Sequence, residues 1–437
     1  MSIAAAYKAK LLCSGVFISR RNPQAVIQED LEVENPSFLR AITTEVDLAN
    51  QQVIASCFAL GKRTAVYRHG LGCALVYGDQ VRETIATDTL SSPAFRTGRV
   101  LDGGIPRHDG MLGQNADCRL NAVLDWAFAE PDAKHQRRTR AVVILHQGKL
   151  VAERYAQGFG PDMPLSGWSM AKGVINALAG ILVGLGKLEL DAPAPVPEWQ
   201  GKGDPRREIT LGQLLQMTSG LAFAEKSRNP VYDLTHMLLA TSDSAAYAAN
   251  KPLRHQPGTH WSYASGTSNI ISRLIRDTLG DTAYRQLPRL ALFEPLGMDS
   301  ACLEADASGT WVGSSFLYAT ARDWAKFGQL YLQDGIWAGK RILPEGWVGY
   351  SATATPESKL RYGAHFWLDI QHNIRDKAST QPLPADAFHA MGYEGQCVSI
   401  IPSKQLVVVR LGLTRKSSAW RQDRFLTRIL AALAGPN

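Results

Sequence analysis

Two stretches more than 240 residues apart in this chain read as β-hairpins, and few folds can accommodate both. In the first, Ala141-Val142-Val143-Ile144-Leu145-His146 and Lys149-Leu150-Val151-Ala152-Glu153-Arg154-Tyr155 flank Gln147-Gly148, the composition of a tight turn. In the second, Cys397-Val398-Ser399-Ile400-Ile401 and Leu406-Val407-Val408-Val409-Arg410-Leu411-Gly412 flank Pro402-Ser403-Lys404-Gln405, with β-branched residues dominating both arms. Residues 120–128, ahead of the first hairpin, and 424–433, after the second, are apolar at helical spacing. The long middle, about 170–345, is mainly helical in pattern. Strands at both ends of a helical middle predict an α+β fold in which the two termini complete one antiparallel sheet flanked by helices, with a mainly helical subdomain between them.

At about 150 residues per domain, 437 residues suggest two or three folding units. An apolar content of 45% with 8% aromatic residues fills a core and excludes intrinsic disorder as the main state. Residues 1–117 alternate short apolar stretches, 52–60 and 71–77, with polar turns, and end in Asp102-Gly103-Gly104-Ile105-Pro106-Arg107-His108-Asp109-Gly110, a loop-like run. They read as an N-terminal extension with some strand and helix of its own, to which the residues assign no role. Residues 118–437 read as one unit, its sheet part about 118–165 and 346–437 and its helical part about 170–345.

Composition also narrows the partners. The net charge is 47 − 40 = +7, and its basic residues are scattered apart from short clusters at 135–140 (HQRRTR) and at Arg206 and Arg207. These read as solvated loop edges, and a nucleic-acid partner, which needs a concentrated stripe, is not expected. The N-terminal uncharged run, 11–19, is nine residues long, against about 18 for a membrane span. With no signal-peptide cleavage pattern either, stable membrane insertion is not expected. The chain reads as soluble, cytoplasmic as written, or periplasmic if a targeting segment has been removed from its front. Six cysteines are too sparse for a disulfide scaffold and include no C-x-x-C pair, so most are expected as buried thiols. One disulfide among Cys13, Cys57, Cys73 and Cys118 stays open. Gly70-Leu71-Gly72-Cys73-Ala74-Leu75 approaches a dinucleotide fingerprint but has leucine at the third glycine position, and no cofactor is indicated.

Chemistry concentrates in three places. Ser169-Met170-Ala171-Lys172 precedes Val174, Ile175, Leu178, Ile181, Leu182 and Leu185, an apolar stripe at helical spacing. Ser169 then opens a buried helix with Lys172 one turn along on the same face, the geometry a nucleophile and its base need. Backbone N–H groups at that helix start favour a developing anion. A serine there is also a common helix cap, so a second element is required. Tyr263-Ala264-Ser265 follows Pro257-Gly258 and precedes Ile270, Ile271, Leu274 and Ile275, which puts Tyr263 on a loop entering a helix. A phenol of ordinary pKa about 10 and an amine of about 10.4, set against one hydroxyl, can pass a proton. The third element is Met391-Gly392-Tyr393-Glu394-Gly395-Gln396, where glycine permits close backbone approach and the Tyr393 N–H can act as an oxyanion donor beside that of Ser169.

Order, spacing and flanks of these blocks resemble the serine β-lactamase and penicillin-binding-protein superfamily, in particular its class C-like branch of esterases, D-amino-acid peptidases and 6-aminohexanoate-dimer hydrolases. The resemblance rests on Trp168-Ser169-Met170-Ala171-Lys172-Gly173, on Ile209-Thr210-Leu211-Gly212-Gln213-Leu214-Leu215-Gln216-Met217-Thr218-Ser219-Gly220-Leu221, and on Pro257-Gly258-Thr259 with Tyr263-Ala264-Ser265. It covers about residues 118–432. It implies a β-lactamase/transpeptidase-like fold and hydrolysis of a small ester, amide or peptide-like substrate. Ser169, Lys172 and Tyr263 are the implied catalytic residues, Tyr393, Gly392 and Ser265 the oxyanion and substrate-binding set, and neither metal nor cofactor takes part. Two positions depart from the pattern. Where β-lactamases carry Lys-Thr-Gly or a histidine-led variant, this chain has Ala390-Met391-Gly392, with His389 one place early. The loop 223–230 (FAEKSRNP) also lacks the substrate-contacting tyrosine of the nylon-oligomer hydrolases, so that substrate is not carried over.

Two other hydrolase classes fit less well. Gly167-Trp168-Ser169-Met170-Ala171 nearly satisfies the nucleophile elbow of an α/β-hydrolase but lacks its second glycine. A metal hydrolase would need more than His255 and His260. A penicillin-recognising binding protein on the same fold that has lost turnover is the non-enzyme alternative, and a true β-lactamase or DD-peptidase is the alternative within the superfamily. The sequence also does not choose between Lys172 and Tyr263 as the main base.

Overall fold

The computed structural model describes residues 2–34, 37–57, 61–77, 114–225, 232–370 and 382–434; the loop expected at 102–110 lies outside them. The principal elements in chain order are helix α1 (Ser2–Phe17), strands β1 (Thr43–Asp47), β2 (Gln52–Ser56), β3 (Lys62–Arg68) and β4 (Gly72–Leu75), helix α2 (Gln114–Phe128), and strands β5 (Thr139–His146) and β6 (Lys149–Tyr155). Helices α3 (Ala171–Gly184), α4 (Ser265–Leu279) and α5 (Ala321–Leu332) follow, then strands β7 (Phe388–Met391), β8 (Cys397–Ile401) and β9 (Leu406–Gly412), and helix α6 (Gln422–Ala434). The chain divides into two compact units, each discontinuous in sequence. One comprises Met1–Thr97, Leu188–Leu287 and Cys302–Tyr318, the other Gly98–Lys187, Pro288–Ala301 and Ala319–Asn437. These boundaries differ from the division expected at residue 117, because the N-terminal segment packs into a unit with part of the helical middle.

The second unit holds the expected sheet. Its strand order is β7-β8-β9-β5-β6, antiparallel throughout, so the two distant hairpins meet where β9 pairs with β5. Gln147 and Gly148 both take positive φ, which suits the twist of a two-residue hairpin turn. Alternation along the strands gives the sheet two apolar faces. On one, Val142, Ile144, Leu406 and Val408 pack with Leu120 and Leu124 of α2 and with Phe425, Leu426 and Ile429 of α6. On the other lies α5. A Cβ added at Gly328 would sit 2.6 Å from Val407 Cγ1, so the absence of a side chain lets that helix rest directly on the sheet. Each fully buried Val, Leu, Ile or Phe of this sandwich contributes about 1.5–3 kcal/mol.

In the first unit α1 packs on the antiparallel meander β1-β2-β3-β4. Ala5, Ala6, Ala9, Leu12 and Cys13 meet Val53, Ala55, Ala65 and Cys73, and Cys302 and Tyr318 close the same core. Two lysines of α1 are buried and paired. Lys8 donates to the carbonyls of Leu39 and Ile42 and to Glu32, while Lys10 donates to Glu304 Oε2 at 2.6 Å. Glu304 is fully buried and also accepts from Ser14 Oγ (2.9 Å) and from the Cys73 N–H (2.7 Å), so four donors and acceptors from α1, β4 and residue 304 form one closed node. A buried carboxylate demands such company, because desolvation costs several kcal/mol unless hydrogen bonds replace the water. Among the described residues no helix is long and apolar enough to cross a membrane.

Candidate active site

A short 3-10 turn, Trp168–Met170, leads into α3, so Ser169 stands just ahead of a helix whose residues Ala171 to Leu182 are all buried. Lys172 Nζ donates to Ser169 Oγ at 3.0 Å, and the lysine is 1% exposed. Asn176, one turn further along, holds α3 in place. Its Oδ1 accepts from Tyr331 Oη (2.6 Å), Trp347 Nε1 (2.9 Å) and Ser351 Oγ (3.2 Å), and its Nδ2 donates to the Ala364 carbonyl (3.0 Å). This buried hub ties the helix to α5 and to the 347–364 segment, and a fully satisfied polar network of that kind is rigid. Trp168, immediately before Ser169, takes φ +48°, a left-handed conformation that a bulky side chain rarely adopts and that costs of order 1–3 kcal/mol.

The turn after β7 comes directly against this segment. A Cβ added at Gly392 would lie 2.1 Å from the Gly167 carbonyl oxygen, so only glycine lets the two backbones touch. Tyr393 packs edge-on against Trp168, ring centroids 5.7 Å apart. The turn itself is braced from below. Glu394, at φ +64°, is buried and ion-paired with Arg415. Arg410 donates to the carbonyls of Glu394 (3.1 Å) and Gly395 (3.0 Å), and the Gln396 side chain bonds both backbone groups of Gly412. Burial pulls the Arg410 guanidinium down to about 9, and its carbonyl acceptors and its stacking over Trp420 take the place of water. Ser169, Lys172, Gly392 and Tyr393 are therefore brought together as expected residues of one unit.

Tyr263 and Ser265 belong to the other unit. Ser265 opens α4; its hydroxyl donates to Glu225 Oε1 (2.6 Å) and its N–H to Glu225 Oε2 (2.7 Å). Thus Ser265, expected to face substrate, is 1% exposed with its hydroxyl engaged by a carboxylate that caps the helix. The loop carrying Tyr263 is tied to the Met-Thr-Ser-Gly block: Ser262 N–H donates to the Met217 carbonyl (2.9 Å) and Gly258 N–H to that of Thr218 (2.8 Å). That pairing explains why the block accompanies the tyrosine motif. Sequence reasoning missed Glu225, since no local spacing links it to residue 265, forty positions away. The remainder of its loop, 226–230, where a substrate-contacting tyrosine was found wanting, lies outside the described residues.

His389 settles one open point about cations. Its ring bonds Ser399 Oγ at 2.9 Å, and that hydroxyl also accepts from Gln422 of α6. The histidine therefore faces the α6 side of the sheet, whereas Ala390, one step out of phase, faces the other side, and Gly392 meets Gly167. Burial pushes the imidazole down to about 3, so it stays neutral. His255 and His260 stack at 4.1 Å, and no cluster of three or more His, Cys, Asp or Glu able to hold a metal occurs among the described residues.

Comparison with known proteins matches the same region. Residues 124–432 fit the family model described as Beta-lactamase. A 6-aminohexanoate-dimer hydrolase of Paenarthrobacter ureafaciens is 26% identical over 346 residues, 72% of this chain and 83% of that protein. Among solved structures, a family VIII carboxylesterase aligns with a TM-score of 0.57 at 16% identity, covering 76% of this chain and 98% of its own. A hydrolase with promiscuous acyltransferase activity aligns with a TM-score of 0.58 at 16% identity, covering 74% and 99%. At those identities the two structures share the β-lactamase/transpeptidase-like fold.

Proposed function

The chain belongs to the Beta-lactamase family, and from that premise we propose that it is a serine hydrolase that cleaves an ester or amide through an acyl-enzyme on Ser169. The observation that carries this reading is the 3.0 Å hydrogen bond between Ser169 Oγ and Lys172 Nζ, at the start of a helix locked by Asn176. With its amine neutral, Lys172 accepts the hydroxyl proton as Oγ attacks the carbonyl carbon. The oxygen gains the negative charge of a tetrahedral intermediate, and the N–H groups of Ser169 and Tyr393 stabilise it. Collapse breaks the bond to the leaving alcohol or amine, which takes the proton through Lys172 and Tyr263. A water molecule then adds to the acyl carbon, gives its proton to the same groups, and releases the acid and free Ser169. The role of Tyr263 rests on its match to the superfamily's second motif, with Glu225 and Ser265 anchoring the helix that follows it.

Esters and simple amides suit this site better than β-lactams. Where a β-lactamase presents a cation from the third motif, β7 presents Ala390, and the neighbouring His389 faces the opposite side of the sheet. The test is a panel of short-chain p-nitrophenyl esters, D-amino-acid amides and a chromogenic cephalosporin, run on wild type and Ser169→Ala with a fluorophosphonate label alongside. We expect ester or amide turnover above that of the cephalosporin, with turnover and labelling both abolished in Ser169→Ala. Full esterase activity in Ser169→Ala would overturn the assignment, and a stable adduct without turnover would make the protein a binder rather than a hydrolase.

A further inference from the structure

The core of the first unit brings together sulfur atoms that the hydrolytic site does not use. Cys13 Sγ, on α1, lies 2.7 Å from Cys73 Sγ, on β4, and both residues are fully buried. A disulfide bond is about 2.05 Å long, so closure needs a movement of well under 1 Å. The elements that carry the two thiols are already registered by an independent device. Lys10 and Ser14, flanking Cys13 on α1, and the backbone N–H of Cys73 itself all donate to the one buried carboxylate of Glu304. The sulfurs are thus held opposite one another by polar bonds that do not involve them.

We propose that Cys13 and Cys73 form a disulfide site that covalently ties α1 to β4. The reaction is thiol–disulfide exchange with a small disulfide oxidant such as glutathione disulfide. The Cys13 thiolate attacks the oxidant, forming a mixed disulfide and expelling one glutathione thiolate. The Cys73 thiolate then attacks the Cys13 sulfur and expels the second. Two protein thiols are oxidised, one glutathione disulfide is reduced to two glutathione thiols, and the two thiol protons end on the products. Burial raises the Cys73 thiol well above its ordinary value, which disfavours the attacking thiolate in the folded state. The bond therefore forms while α1 docks, and once formed it is shielded from reductants.

The pair is separated by 60 positions, and closing a loop of that size removes much of the freedom of the unfolded segment. The experiment is to synthesise the full chain in a cell-free system buffered with glutathione disulfide, block free thiols, and digest with trypsin without reduction. Tryptic peptides 11–20 and 69–82 should appear joined, and should separate on adding dithiothreitol after unfolding. Cys13→Ala should lower the melting temperature by roughly 5–10 °C relative to the oxidised wild type, and by much less relative to wild type made under dithiothreitol. Blocked, unlinked Cys13 and Cys73 would overturn the proposal, as would a Cys13 peptide joined to that of Cys57 or Cys302. A Cys13→Ala penalty equal under both conditions would also overturn it, since packing alone would then account for the effect.

Discussion

Gly392→Ala tests the contact on which the proposed oxyanion turn depends. The new Cβ would stand 2.1 Å from the Gly167 carbonyl oxygen, and ordinary contact begins near 3.4 Å, so the two backbones must part by about 1.3 Å. The strand side cannot give easily. Met391 is paired with Cys397, Gly392 N–H donates to the Gln396 carbonyl at 2.9 Å, and His389 exchanges two backbone bonds with Trp367. The displacement therefore falls on residues 167–169 or on the 3-10 turn at Tyr393–Gly395, both of which bear the proposed oxyanion donors. A misplacement of about 1 Å at a reacting centre costs about 10²-fold, and loss of one oxyanion donor about 10²–10³-fold. We expect kcat/KM for the best p-nitrophenyl ester to fall about 10²-fold or more, close to 3 kcal/mol of transition-state stabilisation. The loss should appear mainly in kcat, with circular dichroism unchanged. Gly349→Ala is the control, because a Cβ added there meets nothing within 4 Å. A Gly392→Ala enzyme within threefold of wild type would refute the reasoning.

Two further outcomes follow from the same unit. Burial holds His389 at about 3 against 6.5 in the unfolded chain, so between those values the unfolded state binds the extra proton and stability falls as pH drops below 6.5. At pH 5 that amounts to about 2 kcal/mol; His389→Gln should lose correspondingly less between pH 7.5 and 5 in urea midpoints, and equal losses in the two proteins would contradict the account. Asn176→Ala leaves the Trp347 N–H without its acceptor and takes from the Tyr331 hydroxyl its 2.6 Å partner, leaving it the Gly173 carbonyl at 3.4 Å, each loss worth about 1–3 kcal/mol, while Ser351 keeps its 2.8 Å bond to the Trp347 carbonyl. A loss of at least about 2 kcal/mol in denaturant unfolding is expected, and one below about 1 kcal/mol would show that the hub is not what holds α3.

The parts of this molecule legible in its sequence are those whose signal is local. Gln147-Gly148 between alternating arms announces a hairpin, and an apolar stripe after Ser169 announces a buried helix with Lys172 one turn along; both are present. What stayed illegible depends on partners far away in the chain. Helix α1 has Lys8 and Lys10 on buried positions, so it carries no clean apolar stripe until Glu32 and Glu304 are known to neutralise them. His389 lies one residue from the motif position, yet strand alternation turns that single step into the opposite face of a sheet. Glu225 and the left-handed Trp168 likewise answer to tertiary packing and leave no periodic trace. The β-lactamase/transpeptidase-like fold was within reach because three spaced motifs coincide; the boundaries of the two compact units were not, because both are assembled from three separate stretches of chain.

The position of β5 between β6 and β9 sets a schedule for synthesis. The β5–β6 hairpin can close soon after residue 155 emerges, but the other edge of β5 waits for Gly412. Between His146 and Gly412 lie 412 − 146 = 266 residues of further synthesis, which at about 5–20 residues per second takes roughly 13–53 s. For that interval an apolar strand with an open row of backbone donors and acceptors is available to any other chain nearby. Fidelity of folding in this protein is therefore a matter of how that edge is kept out of circulation until the C-terminus arrives to claim it.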